Sequence, residues 1–371
     1  MDFVIIAEIF QKMEATAKRT ELTSLLVELI KNTPNELISK VVYLLQGILK
    51  PNFEGLELGI AEKLAIRAIA KSSGISVKKI QNEYNIGGDL GNAAANILKL
   101  KTQTTFIAEP ITLERVYETL LKIANLEGKG SQDLKIKYIS SLLNDATPTE
   151  GKFIIKILLG ILRLGIAENT VMDALAINFT GRKENRTQIE NAYNVSSDLG
   201  KVSKIIANEG IDGIKKFKIE LFNPIRPMLA DRVMSEEDAV KKISNKFAAE
   251  YKLDGERVQI HKKNNKIILF SRSLEKITQY YPDIVENIGK SLNTKEGIFE
   301  AEIVAINENT GEFLPFQELM HRRRKNKLEK AVQEYPITVN FFDVLYLNGE
   351  NCLNLPYQQR RKIIEEVISE D

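Results

Sequence analysis

Two short blocks occur twice in the first half of the chain, and they constrain its fold more than any other feature. Leu58-Gly59-Ile60-Ala61-Glu62 returns as Leu164-Gly165-Ile166-Ala167-Glu168. Tyr84-Asn85-Ile86-x-x-Asp89-Leu90-Gly91 returns as Tyr193-Asn194-Val195-x-x-Asp198-Leu199-Gly200. The offsets are 106 and 109 residues, in the same order. Such spacing predicts two similar lobes of roughly 100 residues each. The lobes read as helical. Leu113, Val116, Tyr117, Leu120, Leu121 and Ala124 form an apolar stripe behind a Thr112 N-cap, and Gly128 and Gly130 lie past its end. Phe153 to Leu164 reads as a longer helical run, buried on most sides. Phe3, Ile6, Phe10 and Met13 mark a first domain helix, not a signal peptide, because an acid stands at position 2.

The repeated glycines and aspartates allow two readings. Glycine permits close helix approach or ends a helix, and Asp89 and Asp198 suit helix N-caps. Alternatively, glycine-bearing helix starts expose backbone N–H groups to phosphates. Lys63, Arg67, Arg163 and Lys201 stand near the repeats and would assist in such contacts.

A boundary falls at Leu221-Phe222-Asn223-Pro224-Ile225-Arg226-Pro227, where two prolines oppose helix continuation. Short β-rich runs follow at Arg257–Ile260, Ile267–Ser271, Ile298–Ile306 and Val339–Leu345. Turns are expected at Lys263-Asn264-Asn265 and Asn348-Gly349, and helices at Ile277–Leu292 and Pro356–Ile368. The second half is therefore α+β with an antiparallel sheet. The expected domains are 1–215, all-α, and 216–371.

A net charge of +2 means that any nucleic-acid surface must come from local clusters. The single cysteine, Cys352, rules out an internal disulfide framework and a Cys-based zinc site, and two distant histidines argue against a histidine metal centre. No run of 18 uncharged apolar residues occurs, so no membrane span is expected.

The densest chemistry lies in Glu250-Tyr251-Lys252-Leu253-Asp254-Gly255-Glu256-Arg257. With Asp254-Gly255 as a turn, Lys252 is expected at a strand end, facing one pocket with Arg257. A lysine amine attacks phosphorus only when neutral, and Arg257 offers a fork of donors to phosphate. Alone, the pattern equally suits a charged surface hairpin. Phe270-Ser271-Arg272-Ser273 closes another strand with an arginine. In Phe299-Glu300-Ala301-Glu302, period two places both acids on one face, where they would meet solvent, a divalent ion or a ribose hydroxyl. Phe342 points opposite Phe341, so one ring can pack while the other stacks on a base. His321-Arg322-Arg323-Arg324-Lys325 reads as a solvated helix end or a phosphate contact.

These segments, in this order, resemble the nucleotidyl-lysine motif and the three motifs after it in ATP-dependent DNA ligases. Pro224-Ile225-Arg226-Pro227-Met228-Leu229-Ala230 resembles the entry to their catalytic domain. The helical half resembles their N-terminal DNA-binding domain, and the layout is closest to archaeal enzymes. The lysine motif alone would also suit RNA ligases and mRNA-capping enzymes.

The resemblance implies an all-α DNA-binding domain followed by an adenylation domain of the nucleotidyltransferase type. It implies a lysyl–AMP bond on Lys252, with Glu250 beside adenine and Phe342 over it. Arg257 and Arg272 would lie by ribose and phosphate, and Glu302 at the ribose or a metal. ATP and Mg²⁺ are the implied cofactors and nicked duplex DNA the partner, and a sliding clamp is compatible with it. An intracellular, nucleoid-associated monomer is expected. The family's later acidic motif, paired-lysine motif and terminal OB-fold are not found in the 21 residues after Glu350. A partial adenylation domain, inactive by itself in full ligation, is therefore expected. The alternative is a non-catalytic DNA-binding fragment.

Overall fold

The computed structural model describes residues 1–101, 110–243, 247–324 and 328–368. They form two compact units, one comprising 1–193 and 198–217, the other 194–197 and 218–371. Among the described residues no helix is long and apolar enough to cross a membrane.

The first unit is all helical and carries one continuous core, in which Phe3, Phe10, Leu26 and Phe153 are fully buried. The repeated blocks build matching helix triplets. One comprises Glu62–Ser73, Val77–Gly87 and Leu90–Lys99; the other comprises Glu168–Thr180, Arg186–Ser196 and Leu199–Ile214. The first helix of each triplet ends on a left-handed glycine, Gly74 at φ 73° and Gly181 at φ 68°. Tyr84 donates to Glu62 at 2.6 Å, and Tyr193 donates to Glu168 at 2.6 Å. Asp89 caps the third helix of its triplet through Asn92 N, and Asp198 through Lys201 N, each at 2.8 Å.

The lobes are not consecutive stretches. Leu90–Lys99 packs on Pro148–Leu158, whereas Leu199–Ile214 packs on Ile38–Leu45, so each triplet recruits helices from the other part of the chain. This interlock reveals a third repeated block. Val41-Val42-Tyr43-Leu44-Leu45-Gln46-Gly47-Ile48-Leu49 answers to Ile154-Ile155-Lys156-Ile157-Leu158-Leu159-Gly160-Ile161-Leu162. Its glycines both take left-handed backbone, at φ 72° and 66°. The run from Phe153 is therefore not helical to Leu164: the helix stops at Leu158, and Gly160 turns the chain away.

The glycines at the crossings serve packing. A Cβ on Gly91 would lie 2.6 Å from Lys156 Cγ, and one on Gly200 would lie 2.2 Å from Tyr43 Cζ. Lys156 and Tyr43 also engage the cap aspartates, Asp89 at 2.9 Å and Asp198 at 2.7 Å. Burial would lower the Lys156 ammonium's pKa, but Glu14 and Asp89 outweigh it and raise the pKa.

The second unit is built on an antiparallel sheet ordered β2-β1-β3-β4-β5. Its strands are β1 (Glu256–Lys263), β2 (Lys266–Ser271), β3 (Glu296–Ala305), β4 (Ile337–Leu347) and β5 (Glu350–Asn351). Alternation splits its faces. Val258, Ile260, Leu269, Phe299, Ala301 and Ile303 join Ile284 and Ile288 of helix Pro282–Ser291 and Ile364 of helix Tyr357–Val367 in an apolar core. Arg257, Gln259, His261, Glu300 and Glu302 occupy the alternate positions. Within the basic run His321 is exposed, but Arg322 is not solvated. Arg322 is buried and pairs with Asp283 at 2.6 Å, because it faces inward from helix Phe316–Arg324. Lys325 lies outside the described residues.

Candidate active site

Strand register gathers Arg257, Glu302, Phe342 and the strand end before Arg272 at one end of the sheet. Arg257 is the cross-strand partner of Glu302, and Glu302 that of Asn340. Val258 faces Ser271, so Arg272 begins the turn just beyond, where it is exposed. Two register shifts interrupt the β3–β4 ladder: Glu300 faces Asp343 while Ala301 faces Phe341, which leaves Phe342 unpaired between them. Such a bulge re-aims a side chain. Phe341 packs edge-on to Phe299 at 5.9 Å, whereas Phe342 carries the Arg257 guanidinium 5.5 Å from its ring centroid.

Lys252 departs from expectation. It lies on no strand: residues 247–253 have no regular structure, and β1 begins only at Glu256. Both edges of β1 are already taken by β2 and β3, and the β3 pairing reaches Ile303 opposite Glu256. The segment is instead fixed by its neighbours. Gly255 approaches so closely that a Cβ would lie 2.2 Å from Ile303 O. Asp254 accepts from Phe316 N at 3.1 Å. Lys252 is exposed, with Nζ 3.1 Å from Leu253 O. Glu250 is held by the Tyr357 hydroxyl, whose pKa burial and this carboxylate push up to about 12.

Half-buried Glu302 joins the lysine segment to the sheet. Burial raises its carboxyl pKa, against the opposing pull of the Lys252 charge and a backbone hydrogen bond from Gly255. Arg257 donates through Nε to Glu300 at 2.8 Å. Burial would lower its pKa, but Glu300 outweighs that and raises it, so the cation is held firmly. Glu300 is itself 2% exposed, and burial raises its carboxyl pKa despite Arg257.

The set offers an amine, two arginines, an aromatic ring and one half-buried carboxylate, which fits a nucleotide. Glu300 is committed to Arg257 and Gln259, and Asp343 to Arg360 at 2.6 Å, so of these three sheet acids Glu302 is the one left to meet a ribose hydroxyl or an ion. Among the described residues no three His, Cys, Asp or Glu converge as a metal cage. One carboxylate fits a Mg²⁺ that keeps its waters and takes phosphate oxygens.

Sequence reasoning missed Gln259, His261 and Tyr357, and left Glu300 without a clear role. The available signal was the polar spacing Arg257, Gln259, His261 along β1, which repeats the alternation noted for Glu300 and Glu302. The proposed nucleic-acid residues are spread over the first unit. Lys63 and Arg67 lie one turn apart on a helix, both exposed, and Arg67 pairs with Asp133 at 3.5 Å. Arg163 is exposed in the loop before Glu168, and Lys201 is half-buried with its ammonium 5.8 Å from the Phe217 ring.

Comparisons with known proteins match this architecture. Residues 2–176 match the family model "DNA ligase N terminus", and residues 227–371 match "ATP dependent DNA ligase domain". A DNA ligase of Nitrosopumilus maritimus (strain SCM1) is 68% identical over 100% of this chain and 63% of its own length. One of Cenarchaeum symbiosum (strain A) is 60% identical with the same coverage, and one of Acidianus ambivalens is 43% identical, again over 63% of its length. The chain thus spans 63% of the length of these curated relatives. With a helical first unit, an antiparallel α+β second unit and both family models matched in order, the chain belongs to the ATP-dependent DNA ligases, of the type found in these archaeal relatives.

Proposed function

We propose that this chain supplies the DNA-gripping and adenylate-forming parts of an enzyme that seals 5′-phosphate/3′-hydroxyl nicks in duplex DNA. The observation that supports this is that Arg257, Glu302 and Phe342 share one sheet end, with Gly255 seating the Lys252 segment against Glu302.

The lone pair of Lys252 attacks the α-phosphorus of ATP. A nitrogen–phosphorus bond forms, the bond to the β-phosphate oxygen breaks, and pyrophosphate leaves with the charge while the amine proton passes to solvent. The nick's 5′-phosphate then displaces the lysine and takes AMP, and the amine recovers its proton. The 3′-hydroxyl next attacks that activated phosphate, the phosphoanhydride bond breaks, AMP leaves and the hydroxyl proton passes to solvent. Phe342 stacks on the base, Arg257 and Arg272 bind ribose and phosphate, Glu250 lies beside adenine, and Glu302 orients a ribose hydroxyl or holds the ion. Bound Mg²⁺ supplies charge neutralisation on the phosphates. Nicks occur in any sequence, so grip falls on the DNA backbone. Lys63, Arg67, Arg163 and Lys201 are the side chains proposed for it.

Incubation with α-labelled ATP and Mg²⁺ tests the first step. Acid-stable label on the chain, absent from Lys252→Ala, is the expected result. Equal label on both would move the nucleophile elsewhere. No label on a folded chain would refute adenylate formation by these residues.

A further inference from the structure

A chain of buried hydrogen bonds crosses the polar face of the sheet and ends on Arg257. It starts at Phe222, whose backbone N–H donates to His261 Nδ1 at 2.9 Å. A nitrogen that accepts carries no proton, so the His261 proton sits on Nε2, which donates to Gln259 Oε1 at 2.8 Å. Gln259 Oε1 also accepts from Ile225 N at 2.7 Å. Its amide nitrogen donates to Ile225 O at 2.9 Å and to Glu300 Oε1 at 2.8 Å. The other Glu300 oxygen accepts from Arg257 Nε at 2.8 Å. Both amide protons and both oxygen lone pairs of Gln259 are thereby used, which fixes which way the amide points. Gln259, His261 and Glu300 are 4%, 0% and 2% exposed, so these bonds are shielded from bulk water.

The anchored segment is itself unusual. Phe222 adopts φ 73°, left-handed backbone for a non-glycine residue, and Lys266 lies 4.5 Å from its ring centroid. Such a conformation persists where its surroundings over-determine it.

We infer that Gln259 is a positioning residue: by fixing Glu300 it sets the guanidinium of Arg257, and with His261 it makes that setting depend on the Phe222–Ile225 backbone. The inference rests on the nucleotide-site reading only for what Arg257 then does. A Glu300 held by Arg257 alone could rotate in its pocket, and Arg257 would lose its register with Phe342. Gln259 is thus the link between the chain entering this unit and the group proposed to meet ribose and phosphate.

The test uses the 371-residue chain and two readouts. The first is proton exchange of the Arg257 Nε–H by NMR without nucleotide. The second is AMP affinity at neutral pH. In Gln259→Leu the Nε–H exchanges on the order of tenfold faster, and AMP binds on the order of tenfold more weakly. Ile288→Val, on the opposite apolar face, moves neither readout.

Gln259→Glu provides a second variant of the same shape. It keeps the acceptor for His261 but cannot donate to Glu300 unless the introduced carboxyl is protonated. The exchange, read as its excess over the wild type at the same pH, should therefore be large at neutral pH and narrow on acidification. Wild-type exchange at neutral pH in either folded variant overturns the inference. If AMP fails to bind the wild type while Arg257 still responds to Gln259, the positioning role stands and the nucleotide reading falls.

Discussion

His261 sits where its charged form is excluded. Burial lowers its pKa from the ordinary 6.5 to about 3, and its one lone-pair nitrogen is already occupied by Phe222 N–H. The unfolded chain takes up a proton near pH 6.5 that the folded chain refuses until about pH 3. Its contribution to stability is therefore complete above pH 6.5 and is lost as pH falls toward 3, at about 1.4 kcal/mol per pH unit. Glu300 acts in the opposite sense. Its raised pKa favours folding most below its ordinary value, and that contribution is lost as pH rises through the folded value. Comparing the wild type with His261→Gln isolates the histidine. Amide opening energies along β1, measured by hydrogen exchange at pH 7.5 and 5.5, should fall by about 1.4 kcal/mol more in the wild type than in the variant. Equal changes in both would show that the imidazole is not the group being titrated. At this scale part of the arrangement was legible: Arg257, Glu302 and Phe342 share one sheet end, and the Lys252 charge acts on Glu302. What was not legible is how Lys252 is held, since Gly255 against Ile303 O and Asp254 against Phe316 N are tertiary contacts with no local pattern.

Among the elements, the repeated blocks settle between their two readings at the helix crossings. Gly200 is read as phosphate contact or as packing, and Tyr43 Cζ at 2.2 Å from its would-be Cβ favours packing. Gly200→Ala should destabilise the first unit by about 1–3 kcal/mol through overpacking. It should leave the affinity of the folded chain for nicked duplex unchanged. Weaker DNA binding with unaltered thermal stability would reverse that assignment. The blocks containing Asp89 and Asp198 were visible because the same residues recur. The third block was hidden because Tyr43 stands where Lys156 does, and the two satisfy the cap aspartates by different chemistry. A hydroxyl meets one carboxylate and an ammonium the other, so likeness of role leaves no likeness of letter. The interlock was hidden for a related reason: sequence order suggested consecutive lobes, whereas packing pairs Ile38–Leu45 with Leu199–Ile214. Strand positions in the second half were legible from alternation. The bulge that frees Phe342 was not, because it arises from β3 and β4 falling out of step.

On the scale of the whole chain, the two apolar clusters share no residue. One runs from Phe3 to Ile214 in the helical unit, and the other from Val258 to Val367 about the sheet. Each unit therefore has its own source of cooperativity, and a cavity in one core should weaken that unit's transition selectively. Phe153 and Phe299 are both fully buried, one in each cluster. Truncating either to alanine should cost about 3–5 kcal/mol. Hydrogen exchange followed through a urea series separates the two units by location. Phe153→Ala should lower the midpoint for amides of Pro148–Leu158 and leave β1 amides near their wild-type midpoint. Phe299→Ala should do the reverse. If either substitution shifted both sets equally, the chain would be unfolding as one cooperative block. Selective shifts would instead mean that the helical unit tolerates damage to the sheet. Lys252→Ala, which removes the proposed nucleophile, is then a variant to assay for DNA binding without the fold of the helical unit being in question.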